Sequence, residues 1–244
     1  MTDDKNILGT SVRYDKHDVI VGSSKAYLDS DAYSLIFYGS FSPNQKNFLD
    51  GVFGVSSIKI NQKREFTSWN SGERNGQQLF GSFKLANSNN KNKNEYKEGY
   101  LKMDFGYTQL SEFTEIGVDA DIKYDKQIIQ TIEFAGGLML EDTTEFKNST
   151  LKVKPFIEHI VDISPSTDAR LSYTSDPGTL YTISIGNEAM HNLKAGIGID
   201  LSTKNGLSVI VNYERNQSYM NGRRYGLSKG IDSSHSDSLS LAIG

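Results

Sequence analysis

The side chains that could support chemistry are few, and their spacing argues against most of the reactions they could serve. Four histidines, His17, His159, His191 and His235, lie far apart with no metal-ligand spacing. Asp119 and Asp121 are two apart, so in an extended segment both carboxylates would share a face, with Ile116, Val118, Ala120 and Ile122 on the other. A general acid/base pair also needs a pocket and neighbours that separate the two pKa values, and the surrounding sequence offers neither. Glu141 and Asp142 are adjacent and would point to opposite faces of a strand. No phosphate loop and no cysteine occur. The sequence therefore predicts no catalytic residue, no cofactor and no metal, and Asp119 and Asp121 read as a solvated strand face.

The elements that hold these residues follow from composition and period. A chain of 244 residues suffices for one large all-β domain or two small ones, and no proline-rich or low-complexity linker divides it, so residues 1–244 read as one domain. Thirteen tyrosines, twelve phenylalanines, a single tryptophan (Trp69) and 22 glycines against four prolines suit long, uninterrupted strands. The lack of cysteine rules out disulfides and thiolate metal sites and fits an oxidising compartment. A net charge of -4 argues neither for nucleic acid nor for electrostatic attachment to anionic lipid. There is no signal-peptide pattern and no run of about 20 apolar residues. The mean hydropathy of -0.48 still permits a membrane barrel, which needs apolar residues only at alternate positions.

About ten segments show that alternation. From Leu101 to Thr108, Leu101, Met103, Phe105 and Tyr107 point one way, and Lys102, Asp104, Gly106 and Thr108 the other. Leu193, Ala195, Ile197, Ile199 and Leu201 alternate with Lys194, Gly196, Gly198 and Asp200. Leu207, Val209, Val211 and Tyr213 do so with Ser208, Ile210, Asn212 and Glu214, and Leu239, Leu241 and Ile243 with Ser238, Ser240 and Ala242. Weaker versions run over Leu8–Tyr14, Tyr33–Phe41, Leu49–Val55, Leu79–Leu85, Ile132–Leu140 and Leu151–Ile163. No long segment carries a helical period.

One-sided alternation fits either a soluble sandwich, apolar inside, or an outer-membrane barrel, apolar outside. Three features favour the barrel. The alternation lasts for roughly 8 to 12 residues, near the ~9 to 11 that a tilted strand needs to cross a bilayer. Tyr14, Tyr33, Phe41, Tyr107 and Tyr213 sit at strand ends, where interfacial girdles place aromatics. Short turns such as Ser42–Gln45 and Ser202–Gly206 alternate with long polar stretches expected to be loops, at Gln62–Gln77, Asn87–Gly99, Ser164–Asn192 and Asn216–Ser236. A soluble carbohydrate-binding protein would need clustered loop aromatics, for which Trp69, Tyr96, Tyr219 and Tyr225 are the candidates. A simple porin or adhesin barrel would share the strand pattern.

The run AYSLIFYGSFSPNQKNFLDGVFGV, then NGQQLFGSFKLA, LKVKPFIEHI, ARLSYTSD, LKAGIGIDLSTKNGLSVIVNYE and SLSLAIG, resembles in order the autotransporter β-domain, the translocator barrel of type V secretion. The resemblance implies an all-β, antiparallel up-and-down outer-membrane barrel that anchors and translocates an N-terminal passenger. It implies as partners outer-membrane lipid, the chain's own passenger and linker helix, and the barrel assembly machinery, and no nucleic acid. It also implies twelve strands, of which about ten, the third through the twelfth, fall in this sequence, and a terminal aromatic residue where the sequence has Gly244. On that reading the chain is a trimmed barrel with two unpaired edges, which lipid does not solvate.

Function in such a barrel resides in the lumen. The alternation aims Arg13, Lys84, Lys102, Asp104, Glu133, Lys152, Lys154, Glu158, Asp162, Lys194, Asp200 and Glu214 away from the apolar face, and these twelve are the expected pore-lining residues.

Overall fold

Period-two patterning forms a strand in each of the ten segments that carry it. The computed structural model describes residues 6–21, 26–44, 46–65, 68–92, 94–117, 120–185, 191–219 and 233–243. Numbered in chain order, the strands are β1 (Ile7–Val21), β2 (Ala26–Asn44), β3 (Asn47–Glu65), β4 (Trp69–Asn92), β5 (Glu95–Leu110), β6 (Phe113–Thr114), β7 (Ile122–Tyr124), β8 (Gln127–Glu145), β9 (Ser149–Asp162), β10 (Thr167–Tyr173), β11 (Asp176–Ile185), β12 (His191–Thr203), β13 (Ser208–Tyr219) and β14 (Ser233–Ile243). Ten make one curled antiparallel sheet in the order β1-β2-β3-β4-β5-β8-β9-β12-β13-β14. Among the described residues β1 and β14 do not pair with each other.

The register keeps side chains of one kind together. Across β1 to β5, Val12, Leu35, Val55, Leu79 and Tyr107 form one cross-strand row. Beside it Tyr14 and Tyr33 join Ser57, Gln77 and Gln109, so the tyrosines stand where the apolar belt gives way to polar residues. Their rings lie 5.0 Å apart, and the Tyr14 hydroxyl donates to Asp31 at 2.6 Å. Leu101 is 68 % exposed and Leu241 64 %, while the buried apolar residues among those described are only Ala86, Leu110, Ile122 and Ala135. A sandwich would cover that belt with a second layer, and among the described residues the ten-stranded sheet has none. The large bare apolar face belongs in lipid, and the sandwich reading falls.

Close packing on the opposite face depends on glycine at specific points. A Cβ on Gly54 would stand 2.3 Å from the Phe80 ring across the ladder, and one on Gly137 would stand 2.3 Å from the Tyr100 ring. These aromatics lie flat over backbone that only glycine leaves open.

The two rims differ. At one, the chain reverses tightly: the Asn44 side chain accepts from the backbone N–H groups of Lys46 and Asn47 at 3.0 and 2.9 Å, and Thr203 N–H donates to the Leu207 carbonyl at 2.8 Å. At the other, β5 reaches β8 through β6 and β7, and β9 reaches β12 through β10 and β11. These four inserted strands form a second sheet, ordered β11-β10-β7-β6.

Several stretches read as loops are therefore strands. β3 and β4 stay paired from Asn47↔Asn87 to Glu65↔Trp69, through most of Gln62–Gln77, and β4 and β5 stay paired through Asn89↔Lys97 to Asn92↔Glu95. Ser164–Asn192 contains β10 and β11. Asn216–Ser236 is strand at both ends, and residues 220–232, including Tyr225, lie outside the described residues. The physical reason is shared. Beyond the apolar belt both faces of a strand meet water, so the hydrogen-bonded ladder continues after the hydrophobic alternation has stopped.

Candidate functional site

Directly opposed residues share a face of the sheet, so the register places each charged residue without reference to side-chain detail. Lys84 faces Lys102, Asp104 faces Glu133, and Glu133 faces Asp162. Lys194 faces Glu158, Asp200 faces Lys152, and Gly196 lies between Phe156 and Glu214. At the other end, Arg13 faces Ser34, which continues through Ser56 to Gln78. Followed across all ten strands, the twelve charged residues singled out by alternation lie on one face, and the apolar belt lies on the other.

Ion pairs and hydrogen bonds link most of the twelve. Lys102 Nζ lies 2.9 Å from Asp104 and 3.8 Å from Glu158. Glu158, only 5 % exposed, also accepts a hydrogen bond from the Tyr100 hydroxyl at 2.7 Å. Lys84 pairs with Glu98 and sits 4.6 Å above the Tyr100 ring, a cation–π placement. Lys152 and Lys154 reach the same carboxylate, Glu141, at 3.3 and 3.5 Å. Lys194 meets Glu214 at 3.0 Å, and Arg13 meets Asp15 at 2.6 Å. Asp162 and Asp200 accept local hydrogen bonds from Ser164 N–H and Ser202 Oγ. Glu133 stands between two like charges, Asp104 on β5 and Asp162 on β9, an arrangement that destabilises the ladder locally.

Asp15, Glu98, Tyr100 and Glu141 are partners in this network that are not among the twelve expected pore-lining residues. The signal for the last three is present: stepping back by twos from Lys102 reaches Tyr100 and Glu98, and stepping forward by twos from Glu133 reaches Glu141.

A second cluster fixes the four-stranded sheet to the rim. Glu115, 1 % exposed, accepts from Arg64 Nη2 at 2.7 Å, from Gln62 Nε2 at 2.9 Å and from Ile122 N–H at 3.3 Å. The hydrogen bond from Arg64 to Glu115 holds the guanidinium pKa above its ordinary value. Arg74 donates to the carbonyls of Ser111 and Asp125 at 2.7 and 2.9 Å and to Gln127 Oε1 at 3.2 Å, and it lies 5.6 Å from the Phe113 ring, itself stacked on Tyr124 at 4.7 Å. Paired backbone bonds between Ser71 and Ile116, at 3.1 and 2.8 Å, complete the join to β4. Sequence spacing gives no hint of these contacts.

The early chemical candidates fare differently. Asp119 lies outside the described residues. Asp121 follows Ala120, whose φ of 51° is left-handed, so the chain is not extended at Ala120. His159 and His191 are brought together by the β9–β12 ladder, with rings stacked 5.4 Å apart on the apolar side of the sheet. Among the described residues no three His, Asp or Glu side chains converge as metal ligands, and no helix is long and apolar enough to cross a membrane, which says nothing of a β-barrel.

Comparison with known proteins points the same way. The family model described as the autotransporter β-domain matches residues 1–214. No curated protein sequence matches. Among solved structures, the translocator domain of the autotransporter NalP from Neisseria meningitidis is similar in fold, with a TM-score of 0.67 at 17 % identity, over 98 % of this chain and 76 % of that one.

Proposed function

This chain belongs to the autotransporter β-domain family, and on that premise we propose how its ten-stranded wall does the family's work. It is a barrel domain of the bacterial outer membrane that anchors and translocates a passenger by type V secretion. The observation that carries the mechanism is the register's division of the wall into an apolar face and a charged face. The apolar face meets lipid, and Arg13, Lys84, Lys102, Asp104, Glu133, Lys152, Lys154, Glu158, Asp162, Lys194, Asp200 and Glu214 line the lumen.

Six of those twelve are cationic and six anionic. A balanced, largely paired lining keeps water in the channel yet offers a passing chain few free charges to bind, so transit is not slowed by tight contacts. The rim bearing the second sheet faces the cell exterior and the rim of tight turns faces the periplasm, as in barrels with long outer loops. Residues 1–244 act as one unit. The linker helix threads the lumen, the barrel assembly machinery inserts the wall, and the chain itself carries no catalytic step.

The test is protease treatment of intact cells producing the full-length protein. A passenger digested from outside, with the barrel protected, is the expected result. A folded, heat-modifiable barrel whose passenger stays in the periplasm would contradict translocation and favour a simple porin.

A further inference from the structure

Trp69, the single tryptophan, is the first residue of β4, and its ring meets that of Tyr27 on β2 with centroids 6.0 Å apart and planes tilted by 31°. The register turns both toward the lipid side of the wall, because Tyr27 is an even number of residues from Tyr33 and Trp69 an even number from Gln77. Lys63 of β3 lies opposite Tyr27 on that face, and Ile20 of β1 lies on the other side of Tyr27. Ile20 is 70 % exposed, Trp69 46 % and Tyr27 39 %, and among the described residues Lys63 makes no ion pair. The rim sheet covers none of these, since it joins the opposite face of β3 through Gln62 and Arg64.

Height decides what such a cluster meets. Six residues at ~3.4 Å each, tilted by about 40°, lift Tyr27 roughly 15 Å beyond the girdle of Tyr14 and Tyr33. Between that girdle and the rings the same face carries Lys16, Asp18, Asp29, Asp31, Lys59 and Glu73, with ion pairs Lys16–Asp18 and Lys59–Glu73. A strip so charged stands outside hydrocarbon. The aromatic pair is therefore beyond the acyl chains yet still directed away from the lumen, toward the lipids around the barrel.

We propose that Trp69 and Tyr27, with Lys63 beside them, form a site for the sugar of an outer-leaflet glycolipid. This rests on the orientation proposed above, with the rim sheet outside the cell. The occupant is continuous with the lipid that covers the apolar belt below: at this height a lipid-facing strand meets headgroup sugar. A pyranose ring carries C–H bonds on its faces and hydroxyls at its edge. The C–H face packs on the electron-rich face of an aromatic ring, and Lys63 donates to oxygens at the sugar's edge. Ile20 extends the apolar floor.

The experiment titrates the full-length protein, purified in detergent, with lipopolysaccharide bearing a complete core oligosaccharide and with lipid A, the same lipid without that core. The expected result is binding of the core-bearing form about tenfold more tightly than lipid A. Trp69→Ala combined with Tyr27→Ala should abolish that preference while leaving lipid A binding and the heat-modifiable gel shift unchanged. Equal binding of the two glycolipids, or a preference that survives loss of both rings, would overturn the inference. If the double variant loses the gel shift, Trp69→Leu, which keeps apolar bulk without a ring, is read by the same criterion. Self-association that the double variant disperses, with no preference between glycolipids, would overturn it in favour of a second copy. Glu112→Cys on the same rim tests the orientation separately: an impermeant maleimide should label it on intact cells. Labelling only after permeabilisation would overturn the orientation and this inference with it.

Discussion

The ten-stranded wall and the four-stranded rim sheet are built from the same secondary structure yet stabilised in opposite ways. The wall is a repeated ladder whose apolar side chains lie bare on one face and whose charges pair on the other. Its order comes from backbone hydrogen bonds and cross-strand neighbours rather than from a core. The rim sheet is small, and what it buries is largely polar: Glu115, Asn70, Thr167 and Ser172 are each under a tenth exposed, beside Ile122. A membrane wall borrows its apolar environment from lipid, so it needs no core. A small sheet standing in water has too little apolar area to hold itself and is anchored by a buried ion pair.

Six substitutions bear on that contrast. Glu115→Ala should have the largest effect, because it removes the buried carboxylate that pairs with Arg64 and accepts from the Gln62 amide, leaving Arg64 only the Ala120 carbonyl. Breaking a buried pair of this kind costs about 3–5 kcal/mol. The loss should appear as hydrogen exchange confined to β6, β7, β10 and β11, with the heat-modifiable gel shift of the barrel retained. Loss of both together would mean the two sheets form one cooperative unit.

Ile197→Arg puts a charge on the apolar face and should cost about 2–4 kcal/mol near the bilayer midplane. Lys194→Gln, three residues away on the other face, should stay within about 1 kcal/mol. Equal losses in refolding titrations would contradict the assignment of faces.

Gly54→Ala forces the Phe80 ring aside and should cost about 1–3 kcal/mol. Gly99→Ala, whose Cβ would meet Leu138 at an ordinary 3.5 Å, should change urea midpoints by less than about 0.5 kcal/mol. The smallest effect is a gain: Glu133→Gln removes a carboxylate that faces Asp104 and Asp162 and should stabilise the barrel by about 0.2–1 kcal/mol. A destabilised variant would show that Lys102 compensates the row fully.

What the sequence makes legible follows the same division. All ten wall strands can be read from apolar alternation, because lipid on one side and water on the other impress a period of two on every segment. The twelve charged positions share a face for the same reason. Strand ends are not legible: β3 runs on to Arg64 and Glu65 beyond the apolar belt, where no lipid selects alternate residues. The rim sheet is not legible either, since Glu115 meets Gln62 and Arg64 from about fifty residues away and no local pattern marks that meeting. The tight approach of Phe80 to Gly54 is likewise a property of register, visible only once β3 and β4 are aligned.

The central claim is that the charged face is wet and the apolar face is in lipid. A chain without cysteine allows a direct test by single substitution. Lys194→Cys and Ile197→Cys, each refolded into lipid vesicles, would be exposed to a charged, membrane-impermeant maleimide. Rapid labelling at 194 and protection at 197 is the predicted result. Labelling at 197 with protection at 194 would turn the barrel inside out and contradict the account.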